Sequence, residues 1–228
     1  IRDHFADSVR IIVKNAHGNV PQAQTIAAQL AHDDRVKLIF AIATPAMQAA
    51  LSTRTSKPLV FTAVSDPSVL NIAESDCAVA GCCDMIDCDK HVAQSLALCP
   101  DAHTIGLLHN PAEINAVSMG KKIAKALEKR GKKVVNFAAH SEAEMPMVAA
   151  VACSKVDLIM CPLDNTVALS IDALARQALA AKKPLIVCDK MLLRKGVLAS
   201  SGVDYFALGE KSGSLAANIF IAQEPGSL

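Results

Sequence analysis

Apolar runs of strand length recur along this chain, and each stops at a small polar cluster that opens a helix-like stretch. Val36–Ala43 runs into Thr44-Pro45, Leu59–Val64 into Ser65-Asp66-Pro67, Ile105–Leu108 into His109-Asn110-Pro111, Leu158–Cys161 into Asp164-Asn165-Thr166, and Leu185–Val187 into Asp189. Strands without polar alternation are buried on both faces, as in a parallel sheet covered by helices, and such sheets bind ligands at the carboxyl ends of their strands. The polar clusters are therefore the candidate functional positions.

The remaining pattern alternates in the same way. It predicts a strand at Val9–Val13, a helix over Pro21–Ala31, a strand at Val36–Ile42, a helix over Pro45–Ser52 with Thr44 as its cap, and a strand at Leu59–Val64. Ala73–Asp89 breaks the rhythm: rich in Asp, Cys and Gly, it reads as a crossing between two lobes. Beyond it come a helix Lys90–Leu98, strand Thr104–Leu108, helix Ala116–Arg130, strand Lys133–Phe137, helix Glu142–Cys153, strand Val156–Cys161, helix Val167–Ala181 and strand Pro184–Val187, then a strand Gly196–Val203 and a helix around Gly209–Ile221. This alternation predicts right-handed βαβ units in an α/β fold of two doubly wound parallel-sheet lobes. In Ala116–Arg130 the positions Val117, Ile123, Ala124 and Leu127 share an apolar face, and Gly131 supplies a left-handed C-terminal cap.

Composition narrows the class. A chain of 228 residues, 52% hydrophobic and 20% charged, makes one large or two modest domains. The formal net charge is +1 with the cations scattered, so nothing marks a nucleic-acid surface. No apolar segment reaches the roughly 18 residues of a membrane span, and no signal-peptide pattern is present. Because the chain opens on Ile1 in what reads as the end of a helix, a fragment or processed form is expected. Of the eight cysteines, Cys161 and Cys188 sit in strand runs and Cys99 and Cys153 on helix stretches, where cysteine is a small buried hydrophobe. Cys82, Cys83 and Cys88 match no paired metal framework, so no metal is expected; whether Cys77, Cys82, Cys83 and Cys88 form disulfides stays open.

The common catalytic motifs are missing. There is no phosphate loop, no dinucleotide glycine fingerprint, no nucleophile elbow and no H-E-x-x-H, and His109, at a strand end, has no nucleophile beside it. What is present suits recognition. Thr44 before Pro45 leaves free backbone N–H groups at a positive helix end, equipment for a carboxylate, while Asp164 and Asp189 suit an ammonium. Together these suit an α-amino acid. For any single one of Thr44, Asp66 or Asn165, simple capping is an equal account, and for Asp189 a structural turn is.

Five segments then carry a resemblance in order and spacing: Ala41–Ala46 (AIATPA), Val60–Pro67 (VFTAVSDP), Gly106–Asn115 (GLLHNPAEIN), Pro162–Val167 (PLDNTV) and Gly202–Tyr205 (GVDY). The chain resembles, over nearly its whole length, the ABC-transporter substrate-binding proteins whose members bind tryptophan, tyrosine or phenylalanine. That family is similar in fold to type I periplasmic binding proteins, with two lobes joined by a three-crossing hinge and a ligand clamped in the cleft. The resemblance implies lobe one at 1–80 plus 190–202 and lobe two at 81–189 plus 203–228, with the first strand of lobe one missing. It implies no catalysis and no cofactor, a membrane permease as partner, and a periplasmic or cell-surface lipoprotein location.

The implied ligand-binding residues are Ala43, Thr44, Ser65 and Asp66 from lobe one and Asn110, Asn115, Asp164, Asn165 and Asp189 from lobe two. Thr44 and the backbone after it would take the carboxylate, Asp164 or Asp189 the ammonium, and Asn115 and Asn165 would orient the ligand. Aromatic residues make up only 3% of the chain, so stacking surface is scarce and a nonaromatic amino acid remains an alternative. The alternative class is the effector domain of a transcription regulator with the same fold, separated from the importer reading by what precedes Ile1.

Overall fold

The structure is a computed structural model that describes residues 9–75 and 77–223. The reading of the chain's first residues as a helix end lies outside them. The chain divides into two compact units, Ile1–Asp84 with Asp204–Leu228, and Met85–Val203.

In the first unit, helix α1 (Val20–His32) leads to β1 (Ile39–Ile42), α2 (Thr44–Ser52) and β2 (Leu59–Val64). Two single-turn 3-10 helices, Pro67–Val69 and Ile72–Glu74, precede β3 (Val79–Cys83), and α7 (Tyr205–Gln223) closes the unit. The three strands form a parallel sheet in the order β1-β2-β3, with Ile39 opposite Leu59 and Leu59 opposite Val79. Ile39, Ala41, Met47, Leu59, Phe61 and Val64 make the core. Gly81 is a glycine because the Phe61 ring and carbonyl occupy the space a Cβ would need.

The second unit holds α3 (Cys88–Leu98), β4 (Thr104–His109), α4 (Ile114–Glu128), β5 (Lys133–Ala138), α5 (Met145–Lys155), β6 (Leu158–Cys161), α6 (Asn165–Ala180), β7 (Leu185–Val187) and β8 (Ala199–Ser200). Its sheet is parallel throughout, ordered β5-β4-β6-β7-β8. Successive residues of a strand face opposite sides, and two separate cores result. Leu108, Ile159, Cys161, Leu185 and Val187 pack with Ala149 and Ala152 of α5 and Val167, Ile171 and Leu174 of α6. Ile105, Leu107, Leu158, Met160 and Ile186 pack with Val92 of α3 and Met119, Ile123 and Leu127 of α4. The uninterrupted apolar strands are thus explained by burial on both faces.

Several expectations are corrected. Val9–Val13 forms no strand: a strand needs a ladder partner, none exists for it among the described residues, and Ile12 and Val13 are 40% and 80% exposed. The lobe assignment of the segments after 189 is reversed. β8 takes the open ladder edge of β7, Ile186 opposite Ala199, which keeps 190–202 in the second unit; α7 covers β2 and β3, which keeps the C-terminal segment in the first. The first boundary falls after Asp84 and not at residue 80, because β3 continues the first sheet to Cys83. Between the units the chain passes twice among the described residues, after Asp84 and after Val203, where the resemblance implies three crossings. The buried face of α4 runs through Ala116, Met119, Ile123, Ala126 and Leu127, so Val117 and Ala124 flank it. Gly131 adopts φ +70°, the left-handed cap expected of it.

Tyr205, the first residue of α7, donates its hydroxyl to Asp84 Oδ2 at 3.0 Å, tying the start of the closing helix to the end of β3. A hydrogen bond to a buried charged group contributes about 1.5–3 kcal/mol. Tyr205→Phe is therefore expected to lower the unfolding free energy by that amount in urea titration; an unchanged midpoint would show that the bond adds nothing.

Candidate functional site

Each unit brings its candidate residues to the carboxyl edge of its own sheet. In the first unit Ala43 follows β1, and Ser65 and Asp66 follow β2, its neighbour; Ala43 N–H donates to Thr62 O at 3.0 Å across the two strand ends. Thr44 is not the cap expected of it. It is the first residue of α2, 2% exposed, and Ala43 stands at the cap position with φ +72° and no side-chain hydrogen bond to the helix. A non-glycine residue in that region is strained by about 1–3 kcal/mol. Among the described residues the end of α2 thereby has no side-chain cap from Ala43, and Pro45 in its first turn has no N–H to satisfy. Asp66, also buried, caps the turn that follows it by accepting from Ser68 N–H at 3.1 Å.

In the second unit the arrangement is opposite. The N-terminus of α6 is filled by the protein's own carboxylates. Asp164, its cap, accepts from Val167 N–H at 2.8 Å through Oδ1 and from Asn110 N–H at 2.6 Å through Oδ2. Glu113 accepts from Asn165 N–H at 2.9 Å and Nδ2 at 2.7 Å, and from Thr166 N–H and Oγ1, each at 2.9 Å. Asn110 completes the cluster, donating through Nδ2 to Thr166 Oγ1 at 2.9 Å and accepting from Ala112 N–H at 2.9 Å. Asn110, Asp164 and Asn165 are thus brought together, and each is committed to protein groups. Burial of Asp164, with the Glu113 carboxyl beside it, outweighs its two N–H bonds and raises its carboxyl from the ordinary range to about 7.

Asn115 is different. It is 4% exposed, in the first turn of α4, and donates through Nδ2 to Leu163 O at 2.9 Å. That bond fixes the amide orientation, because only NH2 can face a carbonyl, and it leaves Oδ1 a buried acceptor with no hydrogen-bond partner among the described residues. Asp189 caps the 3-10 turn Lys190–Leu192 by accepting from Met191 N–H at 2.8 Å, the structural turn weighed from the sequence. The sequence pattern gives no sign that Glu113 pairs with Asn165 and Thr166. The partners lie some fifty residues apart, and no local pattern signals a cap borrowed from another helix.

A groove of about 740 Å³ bordered by Leu98, Leu179, Lys182 and Leu198 lies at the amino-terminal edge of the second sheet, away from these residues. Cys82, Cys83, Cys99, Cys153, Cys161 and Cys188 are free thiols. Among the described residues no group of three His, Cys, Asp or Glu is placed to hold a metal ion. No helix of the described residues is long and apolar enough to cross a membrane.

The fold matches a known class. The family model described as ABC transporter substrate binding protein matches residues 4–228, and the chain belongs to that family, one of solute-binding proteins and not of enzymes. A tyrosine-binding protein of Clostridioides difficile is 29% identical over 226 residues, 97% of this chain and 65% of that protein, so the chain spans less than two thirds of this relative's length. The crystal structure of a conserved domain protein from Vibrio cholerae is 30% identical with a TM-score of 0.89, covering 100% of this chain and 81% of that one. An ABC domain from Streptococcus pneumoniae, solved in complex with L-Trp, is 29% identical with a TM-score of 0.88, covering 96% and 78%. The fold is that of type I periplasmic binding proteins: a leucine-binding protein of Thermotoga maritima, 18% identical, matches with a TM-score of 0.59 over 79% of this chain and 52% of its own.

The Asp164–Glu113 pair has a consequence for pH. Between about pH 4 and 7 the folded protein retains the Asp164 proton that the unfolded chain releases, so this pair lowers stability as pH rises through that window. Buried His91, pushed down to about 4, acts in the opposite sense between about pH 4 and 6.5, because there the unfolded chain holds the extra proton. Glu113→Gln removes the neighbouring charge and moves Asp164 towards the ordinary range. Relative to wild type, the variant's unfolding free energy is expected to climb as pH is raised from 4 to 7 in urea titrations; parallel curves would refute the pairing.

Proposed function

We propose that this chain is the solute-binding component of an ABC importer, that its ligand is an α-amino acid with an aromatic side chain, and that it delivers this ligand to a membrane permease. The observation that carries the reading is the contrast between two helix ends. That of α6 is closed by Asp164 and Glu113, whereas that of α2, at the carboxyl edge of a parallel sheet, has no side-chain cap and suits a ligand carboxylate. Ala43, Thr44 and the following backbone take that role, with Ser65 and Asp66 beside them.

The ammonium needs acceptors. Both oxygens of Asp164 already receive backbone N–H groups, which favours Asp189 and Asn115 Oδ1 for the ammonium and leaves Asn110, Asp164 and Asn165 to shape the edge. The aromatic preference is supported by what the relatives are said to bind, tyrosine in one and L-Trp in another. Family membership favours an importer over the effector domain of a transcription regulator. It also supports an extracytoplasmic location, periplasmic or as a cell-surface lipoprotein.

A thermal-shift screen of the twenty L-amino acids tests this directly. Ligand at about 100 times its Kd adds roughly 2.7 kcal/mol of stability. A shift confined to tyrosine, tryptophan and phenylalanine is expected, and no shift with any amino acid would sink the reading. For the roles, Asn115→Ala and Asp189→Ala are each expected to weaken the affinity about tenfold or more, the loss of one hydrogen bond to a charged group. Unchanged affinity in calorimetry would remove that residue from the site.

A further inference from the structure

Outside the candidate ligand contacts, a buried imidazole joins the segment that carries Asp189 to the chain where it leaves the second unit. His91, in the first turns of α3 and 2% exposed, places Nδ1 2.7 Å from Ser201 Oγ and Nε2 3.4 Å from Cys188 Sγ. Cys188 immediately precedes Asp189. Ser201 immediately precedes Gly202 and Val203, the last residues of the unit. The backbones of the two segments are also in contact: Ser201 N–H donates to Val187 O at 3.1 Å, and a Cβ on Gly202 would stand 2.8 Å from Lys190 N and 3.3 Å from Asp189 Cα.

Chemistry lets a neutral ring bond at both ends. Burial holds the ring neutral, with its pKa down to about 4, and keeps the Cys188 thiol protonated by pushing it well above its ordinary value. A neutral ring has one N–H and one lone pair. Either tautomer serves both contacts: Nδ1–H donates to Ser201 Oγ while the Cys188 S–H donates to Nε2, or the Ser201 O–H donates to Nδ1 while Nε2–H donates to Cys188 Sγ. Both ring nitrogens are then used, and the imidazole cannot turn without losing both bonds.

We propose that His91 is a positioning residue, which holds the Asp189 segment and the exit of the chain at Ser201–Val203 as one rigid piece, so that a ligand at Asp189 is felt at the second passage between the units. The coupling to a ligand rests on the assignment of Asp189 above. The coupling between the two segments does not.

Hydrogen exchange followed by mass spectrometry on the ligand-free protein separates these. In His91→Ala, segments 188–192 and 199–203 are expected to exchange at least tenfold faster together, while the β4–β5 ladder keeps its rate. Ser201→Ala is the second variant, because Ser201 is only half-buried and its loss leaves the core intact; it cuts the bond at one end and is expected to release the Asp189 segment at the other. With L-tyrosine as the probe, both variants are expected to lose at least tenfold in affinity. If 188–192 stays at its wild-type rate in Ser201→Ala and L-tyrosine binds within twofold of wild type, the proposal is overturned. Should the wild-type protein bind no amino acid, the functional reading fails, and the exchange rates alone decide whether His91 couples the two segments.

Discussion

The carboxyl edge of the five-stranded sheet depends on where the first-turn N–H groups of α6 find acceptors. A helix end leaves four such groups without intrahelical partners, and burial makes each unpaired one expensive. Asp164 serves one from its own cap position and Glu113 serves two from the start of another helix. Because Glu113 belongs to the β4–α4 connection and Asp164 to the β6–α6 connection, the same bonds that cap α6 lock two neighbouring strand ends together. Asn110 and Asn115 inherit their positions from that lock, through the Asp164 carboxylate and the Leu163 carbonyl.

Sealing one helix end and leaving another unsealed divides the chemistry between the units. Two close carboxyls at α6 leave no room there for a third anion, and they hold a proton that lone carboxylates would have lost. Among the described residues the end of α2 has no such occupant, and the strained backbone at Ala43 is what sets the helix start so that Thr44 is inside it and not capping it. Strain of this kind persists only where the surrounding structure over-determines it. The parallel β1–β2 ladder and the Ala43–Thr62 bond provide that constraint.

Much of the architecture was legible in the sequence because parallel strands covered on both faces leave a plain signature. β2, β4, β6 and β7 read as unbroken apolar runs, and the two faces of β4, β6 and β7 do feed two different cores. The clusters after them read as the site, and Ser65, Asp66, Asn110, Asp164 and Asp189 do stand at strand ends. Val9–Val13 has the composition of a strand but no ladder partner among the described residues, and composition cannot report a partner. The homes of β8 and α7, which the resemblance implies the other way round, are settled by which open edge or bare face they cover.

Taken alone, the sequence determined the class of fold, the strand ends as candidate positions, and a resemblance that family membership bears out, all of which rest on local periodicity and on residues adjacent in the chain. Only the tertiary structure decided which polar residues are already spent. Glu113 on Asn165 and Thr166, Asn115 on Leu163, and His91 on Cys188 and Ser201 pair groups from about fifty to more than a hundred residues apart. The physical reason is that hydrogen-bond capacity is exhausted by neighbours in space. A residue's identity gives what it can bind, and the fold alone tells whether that capacity remains.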